Sequence, residues 1–92
     1  MQLKGPFQLT GQNLYFVPSK PGVYLLGNQE GHVVYVGKSE RDLADRLKEH
    51  LKTGAVKATQ FWYWDTWNSQ EAADLSETLT KKYVPSGSTV AH

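Results

Sequence analysis

The residues best suited to chemistry in this chain crowd into one stretch. Tyr24 closes "GVY", Tyr35 opens "YVG", Lys38 follows it, and Arg46 and His50 stand four residues apart in "DLADRLKEHL". A phenol, an ammonium, a guanidinium and an imidazole are groups that bind anions and move protons. Four-residue spacing on a helix puts Arg46 and His50 on one face, one turn apart. Each also has a plainer reading. A strand tyrosine is commonly a core or cross-strand residue, and Arg46 with His50 would by themselves be a solvated helix face. Whether the five act together depends on the elements that carry them.

Those elements can be read from pattern. Gly22–Leu26 and His32–Val36 are short strands joined by the polar turn Gly27-Asn28-Gln29-Glu30-Gly31, an antiparallel hairpin. Alternation sets Val34 and Val36 on one face of the second strand and Val33 and Tyr35 on the other. Ser39 is expected to cap a helix over Glu40–Lys52, with Asp42 three residues on, Leu43, Leu47 and Leu51 as its buried stripe and Gly54 as its stop. "TQFWYWDTW" predicts a third strand with Phe61, Tyr63 and Asp65 on one face and Trp62 and Trp64 on the other. A second helix, capped by Ser69, carries Ala72, Leu75, Leu79 and Tyr83 on one side and ends before Pro85. The order strand, strand, helix, strand, helix predicts an α+β fold, a small three-stranded antiparallel sheet flanked by helices. Residues 1–20 read as an N-terminal arm, loosely packed over 1–13 and with Leu14–Val17 lying extended over the core. Residues 21–85 read as the domain, and 86–92 as a frayed tail.

Composition narrows the class. Ninety-two residues make one domain with a modest core, and 39% hydrophobic with 21% charged residues is globular rather than disordered. A net charge of +1 argues for no particular partner, so any case for nucleic acid must come from where the charges sit. With no cysteine there is neither a disulfide nor a thiolate metal site, and a reducing cytosol is the default. Neither a signal-peptide core nor a run of membrane-spanning length is present, so a soluble cytoplasmic protein is expected.

Taken together, "GVY", "YVG", the lysine after the second glycine, and the Arg46–His50 pair on the next helix resemble the GIY-YIG nuclease superfamily. The likeness runs from about Pro21 to Pro85. It implies a DNA endonuclease-like domain of the kind used in DNA repair, hydrolysing phosphodiester bonds in branched or damaged DNA with a divalent metal, Mg²⁺ or Mn²⁺. By that resemblance Tyr24 is the base beside the attacking water, Tyr35 lines the same pocket, Arg46 clamps the scissile phosphate, and Lys38 and His50 complete the site. A phenol that ionises near pH 10 is a poor base at neutral pH, so Lys38, Arg46 or a metal is expected to lower it.

The last helix departs from the pattern. The superfamily places a metal-binding glutamate there, with an asparagine beyond a proline. Counted back from Pro85 those positions are Ser76 and Ser88. Glu77 lies one residue away, and Glu71 and Asp74 are near. Ala73 and Leu79 flank Ser76 at three-residue spacing, whereas Asp74 and Thr80 flank Glu77, so the apolar register turns Ser76 inward and Glu77 toward water. Glu77 is the candidate metal ligand only if the helix is locally irregular, and Glu71 only from a turn earlier. Without a carboxylate the expectation becomes a catalytically impaired module that binds nucleic acid or a protein partner. Acidic residues dilute the basic ones along the first helix, so weak, salt-sensitive DNA binding is expected. Many members add a DNA-binding domain, for which 92 residues leave no room. Trp62, Trp64 and Trp67 read as core packing ahead of a base-stacking platform.

Overall fold

The computed structural model describes residues 3–54, 57–83 and the backbone of 89–90. In chain order the elements are β1 (Lys4–Gln8), α1 (Gly11–Leu14), β2 (Gly22–Gly27), β3 (Val33–Ser39), α2 (Leu43–Thr53), β4 (Gln60–Asp65), α3 (Ser69–Tyr83) and β5 (Thr89–Val90). The fold is α+β, with a sheet in the order β1-β4-β2-β3-β5. Strands β1 to β4 pair antiparallel, and β5 runs parallel to β3 at Tyr35 and Val36.

The expected three strands are therefore the middle of a wider sheet. Its extra edges come from segments read as arm and tail. Polar composition concealed β1, an exposed edge strand held by its ladder to β4 and by the Phe7 ring, which packs on Phe61 and Tyr63. Leu14 and Val17 do cover the core, but Leu14 ends the single turn α1 rather than lying extended.

Helices cover both faces. Tyr24, Leu26, Leu43, Ala44, Leu47, Phe61 and Tyr63 pack with Leu14 and Val17 on the α1–α2 side, and Val23, Leu25, Val36 and Leu79 pack on the α3 side. Because both faces are covered, all six residues of the central strand β2 are buried. No helix among the described residues is long and apolar enough to cross a membrane.

Four local expectations change. The β2–β3 ladder shifts register between Leu26↔Tyr35 and Gly27↔Val33, leaving Val34 as an extra residue. That bulge moves Val34 to the face of Tyr35 and puts Val33 with Val36, so strict alternation fails. Helix α2 begins at Leu43, with Asp42 as N-cap accepting from the Asp45 amide at 3.0 Å; Ser39 Oγ instead accepts from the Asp42 amide at 2.9 Å, within the approach to the helix. Asn68, not Ser69, caps α3, accepting from the Glu71 amide at 2.8 Å. Leu51 leaves the expected stripe and is 40% exposed, whereas Leu43 and Leu47 are fully buried.

Candidate functional site

Tyr24 points from the middle of β2 into the α2 side of the core and has no exposed surface. A buried phenol needs a hydrogen-bond partner, and Tyr24 Oη lies 2.7 Å from His50 Nε2, delivered by the last turns of α2. Tyr35 closes the group: its ring centroid is 6.1 Å from that of Tyr24, and it meets the His50 ring edge-on at 4.8 Å. Gly37 is the seat of this arrangement. It stands opposite Tyr24 in the β2–β3 register, and a Cβ there would fall on Tyr24 Cζ and Oη. The glycine of "YVG" is therefore required by the tyrosine of "GVY", whose ring crosses the neighbouring strand where no side chain stands.

Electrostatics reverse one expectation. Burial pushes the Tyr24 phenol up, the neighbouring Tyr35 adds to this, and Arg46 pulls down too weakly to win. Tyr24 is thus a neutral phenol at physiological pH, because loss of water outweighs one partly solvated cation. Burial first, then Arg46, pushes His50 below its ordinary value, with Glu49 opposing. With the His50 ring proton on Nδ1, Tyr24 Oη donates and Nε2 accepts. The Glu49 carboxylate accepts from Arg46 Nη1 at 3.1 Å. Glu49 is one of the acidic residues that dilute the basic ones along this helix. The Arg46–Glu49 pair is exposed, and such pairs are weak enough for a phosphate to displace.

Lys38 comes from the other face. Val36 packs with Leu79 beneath α3, so two-residue periodicity brings Lys38 off the same side. Even so, Lys38 and Arg46 line one cleft of about 560 Å³, together with Ser39, Glu40, Arg41, Asp42 and Asp45. The cleft lies where β3 gives way to α2, so cations from both sides of the sheet converge there. One of its acids, Asp42, already caps α2.

The acids of α3 lie elsewhere. Ser76 is buried at 7% exposure, while Glu77 faces water, with its carboxylate 3.6 Å from Lys81 Nζ. Asp74 is exposed and accepts from Gln70 at 3.1 Å; Glu71, half-buried, borders a shallow pocket with Trp64, Asp74, Leu75 and Thr78. Among the described residues no three His, Asp or Glu side chains gather as metal ligands. A hard divalent cation needs charged oxygen, and a serine hydroxyl in an apolar register does not supply it. Ser76 and Glu77, as placed, put no carboxylate on the inward face of α3. Pro85 and Ser88 lie outside the described residues.

The tryptophans divide. Trp62 and Trp64 are half-buried against the α3-side cluster, as core packing predicts, but Trp67 is 79% exposed. Lys20 Nζ sits 5.2 Å from its ring centroid. Sequence reading missed Lys20 entirely, since nothing local in "VPSKPG" points to a tryptophan 47 residues further on.

Comparison with known proteins bears on this arrangement. The family profile described as "Domain of unknown function (DUF7508)" matches residues 1–82. The UvrABC system protein C of Syntrophomonas wolfei is 38% identical over 88 residues, 85% of this chain and 14% of its own length. That of Clostridium kluyveri is 37% identical over 83 residues, 80% of this chain and 13% of its own. The chain thus spans about one-seventh of the length of these curated relatives. Among solved structures, the GIY-YIG N-terminal endonuclease domain of UvrC from Thermotoga maritima, bound to its catalytic divalent cation magnesium, is similar with a TM-score of 0.66. The two are 30% identical, over 80% of this chain and 89% of that one.

Proposed function

The chain belongs to the GIY-YIG nuclease superfamily, within the DUF7508 family, and from that premise we propose that it is a DNA-binding member whose pocket no longer cuts. It holds a phosphodiester in the cleft between Lys38 and Arg46, and Arg46 links that cleft to the buried Tyr24–His50 pair. One observation carries the reading: the inward position on α3 is Ser76, while Glu77 faces solvent beside Lys81. Arg46 is the principal phosphate ligand, since its planar fork suits two phosphate oxygens and exchanges readily with Glu49. Lys38 adds a second cation at the same cleft. The Tyr24–His50 hydrogen bond ties α2, which carries Arg46, to β2.

The intact Tyr24–His50 bond favours a second reading, hydrolysis. In that case a water proton passes to the Tyr24 oxygen as the phenolic proton passes to His50 Nε2, and Arg46 offsets the charge gained by the phosphate. The scheme lacks an inward carboxylate on α3 to hold a cation at the departing oxygen, which is why binding is preferred.

Fluorescence anisotropy with labelled branched DNA tests the binding claim. Affinity should be the same in EDTA as in Mg²⁺, and Arg46→Ala should weaken it roughly 10- to 100-fold, as expected for a lost hydrogen-bonded charge. Binding that needs the metal, or that ignores Arg46→Ala, would contradict the reading.

A further inference from the structure

We propose that Trp67 and Lys20 form a nucleobase-stacking site next to the phosphate cleft, so that the DNA this domain engages is single-stranded or splayed rather than paired. The inference rests on the reading that the Lys38–Arg46 cleft holds a phosphodiester.

Position is the first support. Ser39, Gly22 and Asp65 lie side by side across β3, β2 and β4. Ser39 lines the cleft, and Trp67 follows Asp65 by two residues, so the cleft and the loop carrying Trp67 belong to the same end of the sheet, where Ser39 and Asp65 stand about 10 Å apart across two strand spacings. Backbone hydrogen bonds tie the same region together: the Leu43 amide donates to the Lys20 carbonyl at 2.9 Å, and the Thr66 amide to the Pro21 carbonyl at 2.8 Å. Lys20 therefore stands between the start of α2, which borders the cleft, and the loop carrying Trp67.

The second support is that Trp67 is held out rather than left loose. Its neighbour Thr66 is 2% exposed, and Thr66 Oγ1 donates to the Asn68 carbonyl at 2.9 Å, with Asn68 in turn capping α3. An exposed indole on a pinned backbone is pre-organised for stacking, because little freedom is lost on binding. Lys20 covers one side of the ring, 5.2 Å from its centroid, and most of the remainder is open. Lys20 Nζ also lies 3.9 Å from Asp65, whose carboxylate is 4.0 Å from Lys4 Nζ, so two ammonium groups face one acid here. A base on the open face would leave its phosphate near Lys20, the pairing of aromatic face and cation that sequence-tolerant single-strand binding uses. A base locked in a duplex offers no such face.

The test compares a fluorescein-labelled oligothymidylate of roughly 12 nucleotides with a duplex of the same length, using the full chain at fixed salt. Trp67→Ala should weaken oligothymidylate binding roughly 5- to 100-fold and leave duplex binding unchanged, and Trp67→Phe should keep most of the affinity by keeping a ring. Substitution at so exposed a residue leaves the fold intact. If Trp67→Ala matches wild type while Arg46→Ala still weakens binding, the stacking site is wrong and the cleft stands. Equal losses on single strand and duplex would also overturn it. If wild type binds neither DNA, both the cleft and the stacking site are wrong.

Discussion

Tyr24 and His50 account for each other. A phenol with no exposed surface needs an acceptor, and an imidazole depressed by burial is a neutral acceptor at the working pH. The depressed His50 also sets a pH dependence. The unfolded chain takes up a proton near the ordinary 6.5 while the folded chain resists, so His50 destabilises the fold as pH falls below that value. The contribution is fully present above 6.5 and is lost as pH drops toward the folded value. Urea midpoints taken at about pH 7 and about pH 5 should fall for wild type and fall less for His50→Gln; an equal fall would remove His50 as the cause. The motif letters made Tyr24, Tyr35 and His50 legible as a group. The charge state of Tyr24 was not legible, because it turns on burial, and no spacing shows that the ring lies beneath α2 and across Gly37.

Elements were readable where periodicity was strong and misread where one hydrogen bond decides. The apolar spacing of Leu43 and Leu47 located α2, but its cap was read as Ser39, with Asp42 as a residue of the first turn, and the structure makes Asp42 the cap. Asp42 takes the role because the chain from Ser39 to Asp42 closes its own turn first, with Ser39 Oγ accepting the Asp42 amide. Removing the cap with Asp42→Ala should cost about 1 kcal/mol in urea denaturation, and Asp42→Asn should recover most of it. An unchanged Asp42→Ala midpoint would return the cap to Ser39. The β3 bulge shows the same limit: a period-two reading of "HVVYV" cannot see the one residue that the ladder skips. β1 was hidden differently, since an edge strand with every residue exposed has no apolar alternation to read.

At the scale of the whole molecule, a sheet covered on both faces brings Lys38 and Arg46 together from opposite sides at one end, the end at which β4 leads into the loop carrying Trp67. The proposed loss of cutting rests on one buried side chain of α3, Ser76, and not on a change of fold. Ser76 sits where the apolar face requires something small and buried, and a carboxylate there would be costly without a cation to pair it. That inward register was legible from Ala73 and Leu79 before any coordinates. The central claim is that the fold grips DNA and leaves it whole. The direct measurement is incubation of labelled single-stranded and branched DNA with the full chain in Mg²⁺, Mn²⁺ or EDTA, beside Arg46→Ala, read on a denaturing gel. The account predicts DNA that is bound but uncut in every buffer. Metal-dependent cleavage by wild type, lost in Arg46→Ala, would contradict it.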